Sequence, residues 1–353
     1  MGDILITEIE QQPTAVRATA DGLSDQLSAF QAVRELLGSR GSAPVVITGM
    51  GSSQDAAEAL ASRLARRGLA THAVNTAELV RFRLAMLRPG SVVIALSQSG
   101  ESAELVRLSR ELSRLDTVRL VAVTNTPEST LARRAAVSLE LNCGPEQGPT
   151  TKSIQSMMIV LAVIEELAVT DRSMVEIIDL VQAHAEQLAT AIADLLERRE
   201  AIIGTMRDWL GESCSVWLLG RGQGLAAVET SALVLKEAGH QQAAAMDPAE
   251  FRHGPFELAG PDLAVAVVSV EPSVLELDDA LLADLADHRT RVLQLGALPP
   301  DRPWPSLNLP IRDSLVDASL AVVPFQLLTW SLAVERTPEP GRFVKGGKTT
   351  TKE

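Results

Sequence analysis

Val46-Ile47-Thr48-Gly49-Met50-Gly51-Ser52 and, far downstream, Trp217-Leu218-Leu219-Gly220-Arg221-Gly222-Gln223 share one pattern: a short apolar run, a Gly-x-Gly turn, and the start of a helical period. A strand buried on both faces reads as a continuous apolar run instead of an alternating one, so each passage predicts a parallel strand feeding a helix. Their likeness predicts an internal duplication. Around the first lie further apolar, β-branched runs at Val45–Thr48, Val92–Leu96, Leu120–Val123 and Val137–Leu141. Helical patterns at Asp55–Arg67, Ser102–Leu115 and Pro127–Ala135 separate them, the last with Thr126 as N-cap and Pro127 at the first helical position. Around the second, strands are predicted at Val216–Leu219, Leu263–Val270, Val292–Leu295 and Leu307–Ile311. The fold class is α/β, with two tandem doubly wound lobes.

The remainder arranges itself about these lobes. An amphipathic opening places Leu23, Leu27, Phe30, Val33 and Leu37 at helical spacing, a helix is predicted at Thr151–Leu167, and Met174–Leu210 reads as one long connecting helix. The expected organisation is a helical segment over 1–40, the first lobe over 41–172, a linking helix over 173–210, the second lobe over 211–336 and a tail over 337–353. From Pro338 the chain loses periodicity and ends in a Gly/Lys/Thr tail.

At 353 residues the chain is long enough for two domains of roughly 150 residues. Its formal charge of -13 is spread out, with no basic stripe interleaved with aromatics, which argues against nucleic acid and anionic membranes as partners. No apolar run approaches the ~20 residues of a membrane span, and Met1–Thr14 carries acids where a secretory signal carries bases; a cytoplasmic protein is expected. Cys143 and Cys214 are too few for a disulfide framework and lack metal-ligand spacing, so two buried, inert thiols and no metal or cofactor are expected. Of 32 basic residues only Lys152, Lys236, Lys345, Lys348 and Lys352 are lysines, which draws attention to each.

Several segments carry chemistry. Leu96-Ser97-Gln98-Ser99-Gly100-Glu101-Ser102 puts hydroxyls, an amide and free helix N–H groups where a strand ends and a helix begins, at the carboxyl edge where open α/β sheets bind ligands. A phosphate monoester fits that set; simple N-capping explains one serine but not three with a glutamine. Gly49-Met50-Gly51-Ser52-Ser53 also opens a helix but lacks the third glycine of a dinucleotide fingerprint, and serves equally as a plain tight turn. Gly144-Pro145-Glu146-Gln147-Gly148-Pro149-Thr150-Thr151-Lys152 is a turn-rich loop ending in a lysine at a helix start, which opposes the helix dipole unless an anion or a carboxylate sits nearby. In the second lobe Thr230, Val234 and Glu237 share a helix face, and burial there would raise the Glu237 pKa toward that of a working base; a surface ion pair with Lys236 or Arg252 is the plainer alternative. Phe251-Arg252-His253-Gly254-Pro255 places a histidine in a loop, suited to proton shuttling.

Taken in order, these segments resemble the sugar isomerase (SIS) family, most closely the isomerase part of glucosamine-6-phosphate synthase and its deaminase or deglycase relatives. The resemblance runs from Glu8-Ile9-Glu10-Gln11-Gln12-Pro13 to Lys348-Thr349-Thr350 and includes Leu235-Lys236-Glu237. It implies two SIS lobes, each a five-stranded parallel sheet flanked by helices, and a homodimer with shared active sites. It further implies that Ser97, Gln98, Ser99 and Ser102 hold the phosphate of a sugar 6-phosphate while Ser52, Ser53 and Thr150 contact the sugar. Glu237 would then move the proton between C1 and C2, His253 would help open the ring at a neighbouring subunit's site, and Lys348 would match the tail lysine that forms a Schiff base. That last role needs a neutral amine in a desolvated pocket.

The chain departs from the pattern in three places. It shows no amidotransferase region with an N-terminal cysteine, so glutamine-dependent synthesis is not expected; Val234 stands where the synthase has a second lysine; and Thr230 stands where the family has another glutamate. The expected function is proton abstraction at C2 of a hexose or hexosamine 6-phosphate, as in an aldose–ketose isomerase or glucosamine-6-phosphate deaminase. One alternative is a dehydratase that expels the 3-hydroxyl of N-acetylglucosamine 6-phosphate. Another, from a different class, is a non-catalytic sugar-phosphate sensor, against which stand Glu237 and His253.

Overall fold

A computed structural model describes residues 3–213, 215–312 and 314–352. Cys214 therefore lies outside the described residues. By its contacts the chain divides into two compact units, one built from 14–146, 152–187 and 344–353, the other from 1–13, 147–151 and 188–343.

The first unit holds the strands β1 (Val45–Thr48), β2 (Thr71–Ala73), β3 (Val92–Ser97), β4 (Arg119–Thr124) and β5 (Val137–Glu140), all parallel, in the order β2-β1-β3-β4-β5. β1 and β3 are buried along their whole length, as continuous apolar runs require. Leu105, Leu108 and Leu112 of the helix Ala103–Leu112 fall three and four apart and join Val93, Ala95 and Ala122 of the sheet in one core cluster. The helix Lys152–Val169 is buried on nearly every face and packs on Ser52–Arg66 and Leu27–Ser39. Its Glu165 pairs with Arg63 at 2.6 Å, both nearly shielded from solvent; burial outweighs the guanidinium and leaves the Glu165 carboxyl above its ordinary pKa.

The second unit repeats this design with β6 (Ser215–Gly220), β7 (Ala243–Met246), β8 (Leu263–Ser269), β9 (Arg291–Gly296) and β10 (Ser306–Asn308), again all parallel, in the order β7-β6-β8-β9-β10. The two orders are the same. Gly51 and Gly222 also share a conformation closed to most L-residues, at φ 54°, ψ -136° and φ 53°, ψ -122°. The duplication predicted from the Gly-x-Gly passages thus extends to the backbone of both turns, and both sheets are doubly wound.

Some expectations need correction. The strands Thr71–Ala73 and Ala243–Met246, each at a sheet edge, were not among those expected. The helix expected over Pro127–Ala135 spans only Thr130–Arg134, and its cap is Ser129, whose Oγ accepts the Ala132 N–H at 3.3 Å, not Thr126. The connecting stretch is two helices, Met174–Glu197 and Arg199–Leu210. Leu315–Arg336 is, by length and composition, long and apolar enough to cross a membrane, contrary to the expectation that no run approached it; 89% of its most apolar 18-residue window is buried inside the protein, as a core helix is.

Candidate functional site

In a parallel sheet of order 2-1-3-4-5, the chain leaves β1 and β3 in opposite directions, which opens a crevice at their carboxyl ends. The two serine-bearing turns stand there, Gly49–Ser53 after β1 and Ser97–Ser102 after β3. Ser97 Oγ accepts the Gly100 N–H at 2.9 Å and Ser99 Oγ accepts the Glu101 N–H at 3.3 Å. A hydroxyl that accepts retains its own hydrogen, so both can donate to an anion. Ser102 is the N-cap of Ala103–Leu112 by position, but its side chain makes no capping bond. Plain N-capping therefore does not account for it.

Gly100 shapes this loop. Its φ is +65°, and a Cβ there would stand 2.1 Å from Ser129 Oγ. Glu101 ties the loop down from the far side, its Oε1 accepting the Thr130 N–H at 2.6 Å. Beside the loop, at the ends of β4 and β5, lies a cleft of about 640 Å³ whose lining includes Gln98, Asn125, Thr126, Asn142 and Glu146. Asn125 braces it, donating through Nδ2 to the Gly144 carbonyl at 2.8 Å and accepting the Cys143 N–H at 3.0 Å.

The tail belongs to this same unit. Lys348 Nζ donates to Glu146 Oε2 at 2.6 Å, and Ser153 donates its N–H to Oε1 at 3.0 Å and its hydroxyl to Oε2 at 2.7 Å. The Glu146 side chain has no solvent exposure. Burial alone would push its carboxyl up, but the Lys348 charge and the bonds from Lys348 and Ser153 prevail and hold it below its ordinary pKa. Burial, and then the Glu146 charge, pushes the Cys143 thiol up to about 12, so this cysteine is no nucleophile at neutral pH, as expected. Lys152, at the start of its helix, is also buried.

The structure thus gathers Ser52, Ser53, Ser97, Gln98, Ser99, Ser102 and Lys348 in the first unit, and Thr150, Glu237 and His253 in the second. Thr150 is buried and its carbonyl accepts from Gln326 Nε2 at 3.2 Å. Glu237 is the half-buried last residue of the helix Gln223–Glu237, whose Thr230 and Val234 are fully buried. Lys236 is exposed, and Arg252 pairs with Asp284 at 2.7 Å. His253 is exposed at the C-cap of Pro248–Arg252. Sequence reasoning did not single out Glu146; the only local signal for it was a lysine at a helix start six residues later in the same loop, asking for a carboxylate.

A 2-1-3-4-5 parallel sheet built twice, with hydroxyls clustered at the switch point of one copy, defines the class: a double doubly wound α/β protein with a polar strand-end loop in its first sheet. Residues 41–166 of the chain match the model of the SIS domain. It is 28% identical, over 99% of its length, to the isomerizing glutamine–fructose-6-phosphate aminotransferase of Pyrobaculum aerophilum, of which the match covers 57%. The chain thus spans little more than half the length of this curated relative. Among solved structures, the C-terminal domain of glucosamine-fructose-6-phosphate aminotransferase from Francisella tularensis superimposes with a TM-score of 0.82 at 20% identity, covering 97% of this chain and 98% of that one. The tagatose-6-phosphate ketose/aldose isomerase of Escherichia coli gives 0.81 at 23% identity, covering 96% and 95%. At these identities the structures establish the shared fold of two five-stranded parallel sheets flanked by helices.

Proposed function

We propose that the protein is an enzyme that binds a hexose or hexosamine 6-phosphate and abstracts the proton at C2. The observation that carries this reading is the Ser97–Ser102 loop at the β1/β3 switch point, where two serines are held by backbone N–H groups with their own hydrogens left to donate. Three uncharged hydroxyls, an amide and a helix N-terminus suit a phosphate monoester, whose oxygens take several charge-assisted hydrogen bonds. The sugar phosphates acted on by the curated relatives have this group. In the proposal Ser52, Ser53 and Thr150 contact the sugar, Glu237 is the base, and His253 assists ring opening in a homodimer that shares its sites. A half-buried carboxylate on a helix otherwise buried on that face suits proton abstraction better than a plain surface charge would.

One observation favours elimination or deamination over isomerisation for the fate of the carbanion. Val234, fully buried one turn before Glu237, cannot relay a proton between sugar oxygens as a lysine in that place would. The intermediate of a 2-amino sugar is then protonated at C1 to an imine at C2, which water hydrolyses to the ketose phosphate and ammonia with no transfer between sugar oxygens; where the amine is acetylated, the C2 carbanion instead expels the 3-hydroxyl as water. The experiment is incubation in heavy water with a panel of hexose and hexosamine 6-phosphates, with C2 exchange and products followed by NMR. Exchange is expected in the native protein and lost in Glu237→Gln. Undiminished exchange in the variant overturns the role of Glu237, and binding without any exchange makes the protein a sensor.

A further inference from the structure

The C-terminal strap has little of its own to order it. Gly346-Gly347-Lys348-Thr349-Thr350-Thr351-Lys352 contains no apolar side chain, so burial of apolar surface cannot hold it, and two adjacent glycines make it costly to fix. It is nonetheless pinned at two points inside the first unit. At one, the Lys348 ammonium meets Glu146 at 2.6 Å; the lysine keeps 22% side-chain exposure while the glutamate keeps none. At the other, the Thr350 carbonyl accepts the N–H of Ala103 at 3.0 Å. Ala103 opens the helix that directly follows Ser102, and its N–H is one of the donors that a helix start leaves without an internal partner. The strap therefore crosses the end of the Ser97–Ser102 loop.

The anchor is built and not incidental. Glu146 is held by two bonds from Ser153, one from its backbone, besides the bond from Lys348. Its loop is in turn braced by Asn125 through Gly144 and Cys143. A carboxylate wholly out of water is costly unless a cation reaches it, and Lys348 in the strap is that cation at 2.6 Å. Glu146 and Gln98 line the same cleft, so the lysine is fastened on the border of the space that the loop opens into.

We infer that Glu146 is a positioning residue for the proposed reaction: its buried carboxylate latches Lys348, and with it the strap, across the mouth of the Ser97–Ser102 loop, setting where the lysine stands when a sugar phosphate binds. The inference rests on the reading of that loop as the phosphate site, but the latch is testable without it. The full chain is treated with a water-soluble acetylating reagent, and labelling at Lys345, Lys348 and Lys352 is read separately by mass spectrometry. In the native protein Lys348 reacts at least tenfold more slowly than its exposed neighbours, and in Glu146→Gln the three rates converge. Ser153→Ala, a milder change that leaves the backbone bond to Glu146, raises Lys348 labelling about threefold, and decides the matter should Glu146→Gln fail to fold by circular dichroism.

Activity separates positioning from mere structure. Glu146→Gln is expected to lower kcat for C2 exchange tenfold or more while the affinity for inorganic phosphate, measured by calorimetry, stays within twofold. Equal labelling of the three lysines in the native protein overturns the latch. Released labelling with an unchanged kcat overturns the positioning role. A native protein that exchanges no C2 proton on any sugar phosphate overturns the functional reading and the positioning role with it, while the labelling still decides the latch.

Discussion

Replacing Gly100 with alanine tests whether the candidate phosphate loop is as tightly specified as its geometry indicates. Gly100 has φ +65°, where an L-residue pays about 1–2 kcal/mol. The new methyl would lie 2.1 Å from Ser129 Oγ and 2.5 Å from Ser129 Cβ. Ser129 is 1% exposed, and its Oγ caps the helix Thr130–Arg134. Turning the serine aside gives up that cap, worth about 0.5–2 kcal/mol. The two costs together predict a loss of roughly 2–4 kcal/mol, read as a shift of the urea midpoint at constant slope. Because the Gly100 N–H bonds to Ser97 Oγ, displacement of the loop should also weaken phosphate binding by calorimetry. Adding Ser129→Gly removes the obstructing side chain at a cost of only a few tenths of a kcal/mol to the cap, so the double variant should recover the steric part of the loss and keep the backbone part. A Gly100→Ala protein within about 0.5 kcal/mol of the native one would refute the packing argument. Failure of Ser129→Gly to recover anything would show that Ser129 is not what the methyl meets.

Alanine at both Ser97 and Ser99 should leave the fold intact and weaken sugar-phosphate binding by about 2 kcal/mol, a factor near thirty, through lost charge-assisted hydrogen bonds; unchanged affinity by calorimetry removes the loop from the site. Glu146 binds its proton less readily folded than unfolded, so the stability it contributes is present above the ordinary carboxylate range and drains as pH falls through its lower folded-state value. The gap in Tm between the native protein and Glu146→Gln should therefore be constant at neutral and mildly acid pH and narrow as pH falls below the ordinary carboxylate range. Glu165, held above its ordinary pKa, contributes in the opposite sense, but it is present in both proteins and cancels in the difference.

The first sheet and its polar strand ends were readable because a parallel strand buried on both faces is a contiguous apolar run, and the places where such runs give way to serine are few. One edge strand of each sheet, β2 and β7, escaped for the converse reason. Thr71-His72-Ala73 is short and partly exposed, and Ala243-Ala244-Ala245-Met246 is made of helix formers that only pairing with β6 holds extended. The late start of the helix Thr130–Arg134 reflects competition between two plausible caps, which local sequence does not decide. Glu146 was invisible as the partner of Lys348 for a different reason: 202 positions separate the two, and no periodicity spans that distance.

The second sheet shows what the duplication kept and what it discarded. β8 ends at Ser269 as β3 ends at Ser97, beside a Gly-x-Gly turn of the same conformation. Past that serine, Ser97-Gln98-Ser99-Gly100-Glu101 has as its counterpart Ser269-Val270-Glu271-Pro272-Ser273, in which Gln98 gives way to a valine and Ser99 to an acid. Asp278 takes Arg221 Nε on one oxygen at 3.0 Å and Ser269 Oγ on the other at 2.9 Å, while Gln294 Nε2 donates to Ser269 at 3.1 Å and to Asp279 at 2.9 Å. Burial pushes the Asp278 carboxyl above its ordinary pKa against the bonds from Ser269 and Arg221. Glu271 in turn accepts from Gln223, at the start of the helix that follows the turn. At this rim Glu271 stands where the first sheet has Ser99, and a carboxylate there repels a phosphate that an uncharged hydroxyl attracts. The two sheets share the conformation of the Gly-x-Gly turn, but Pro272 opens a short helix, Pro272–Val274, where the first sheet has Gly100 at φ +65°, so among the described residues the second sheet does not repeat the hydroxyl-rich loop that ends β3.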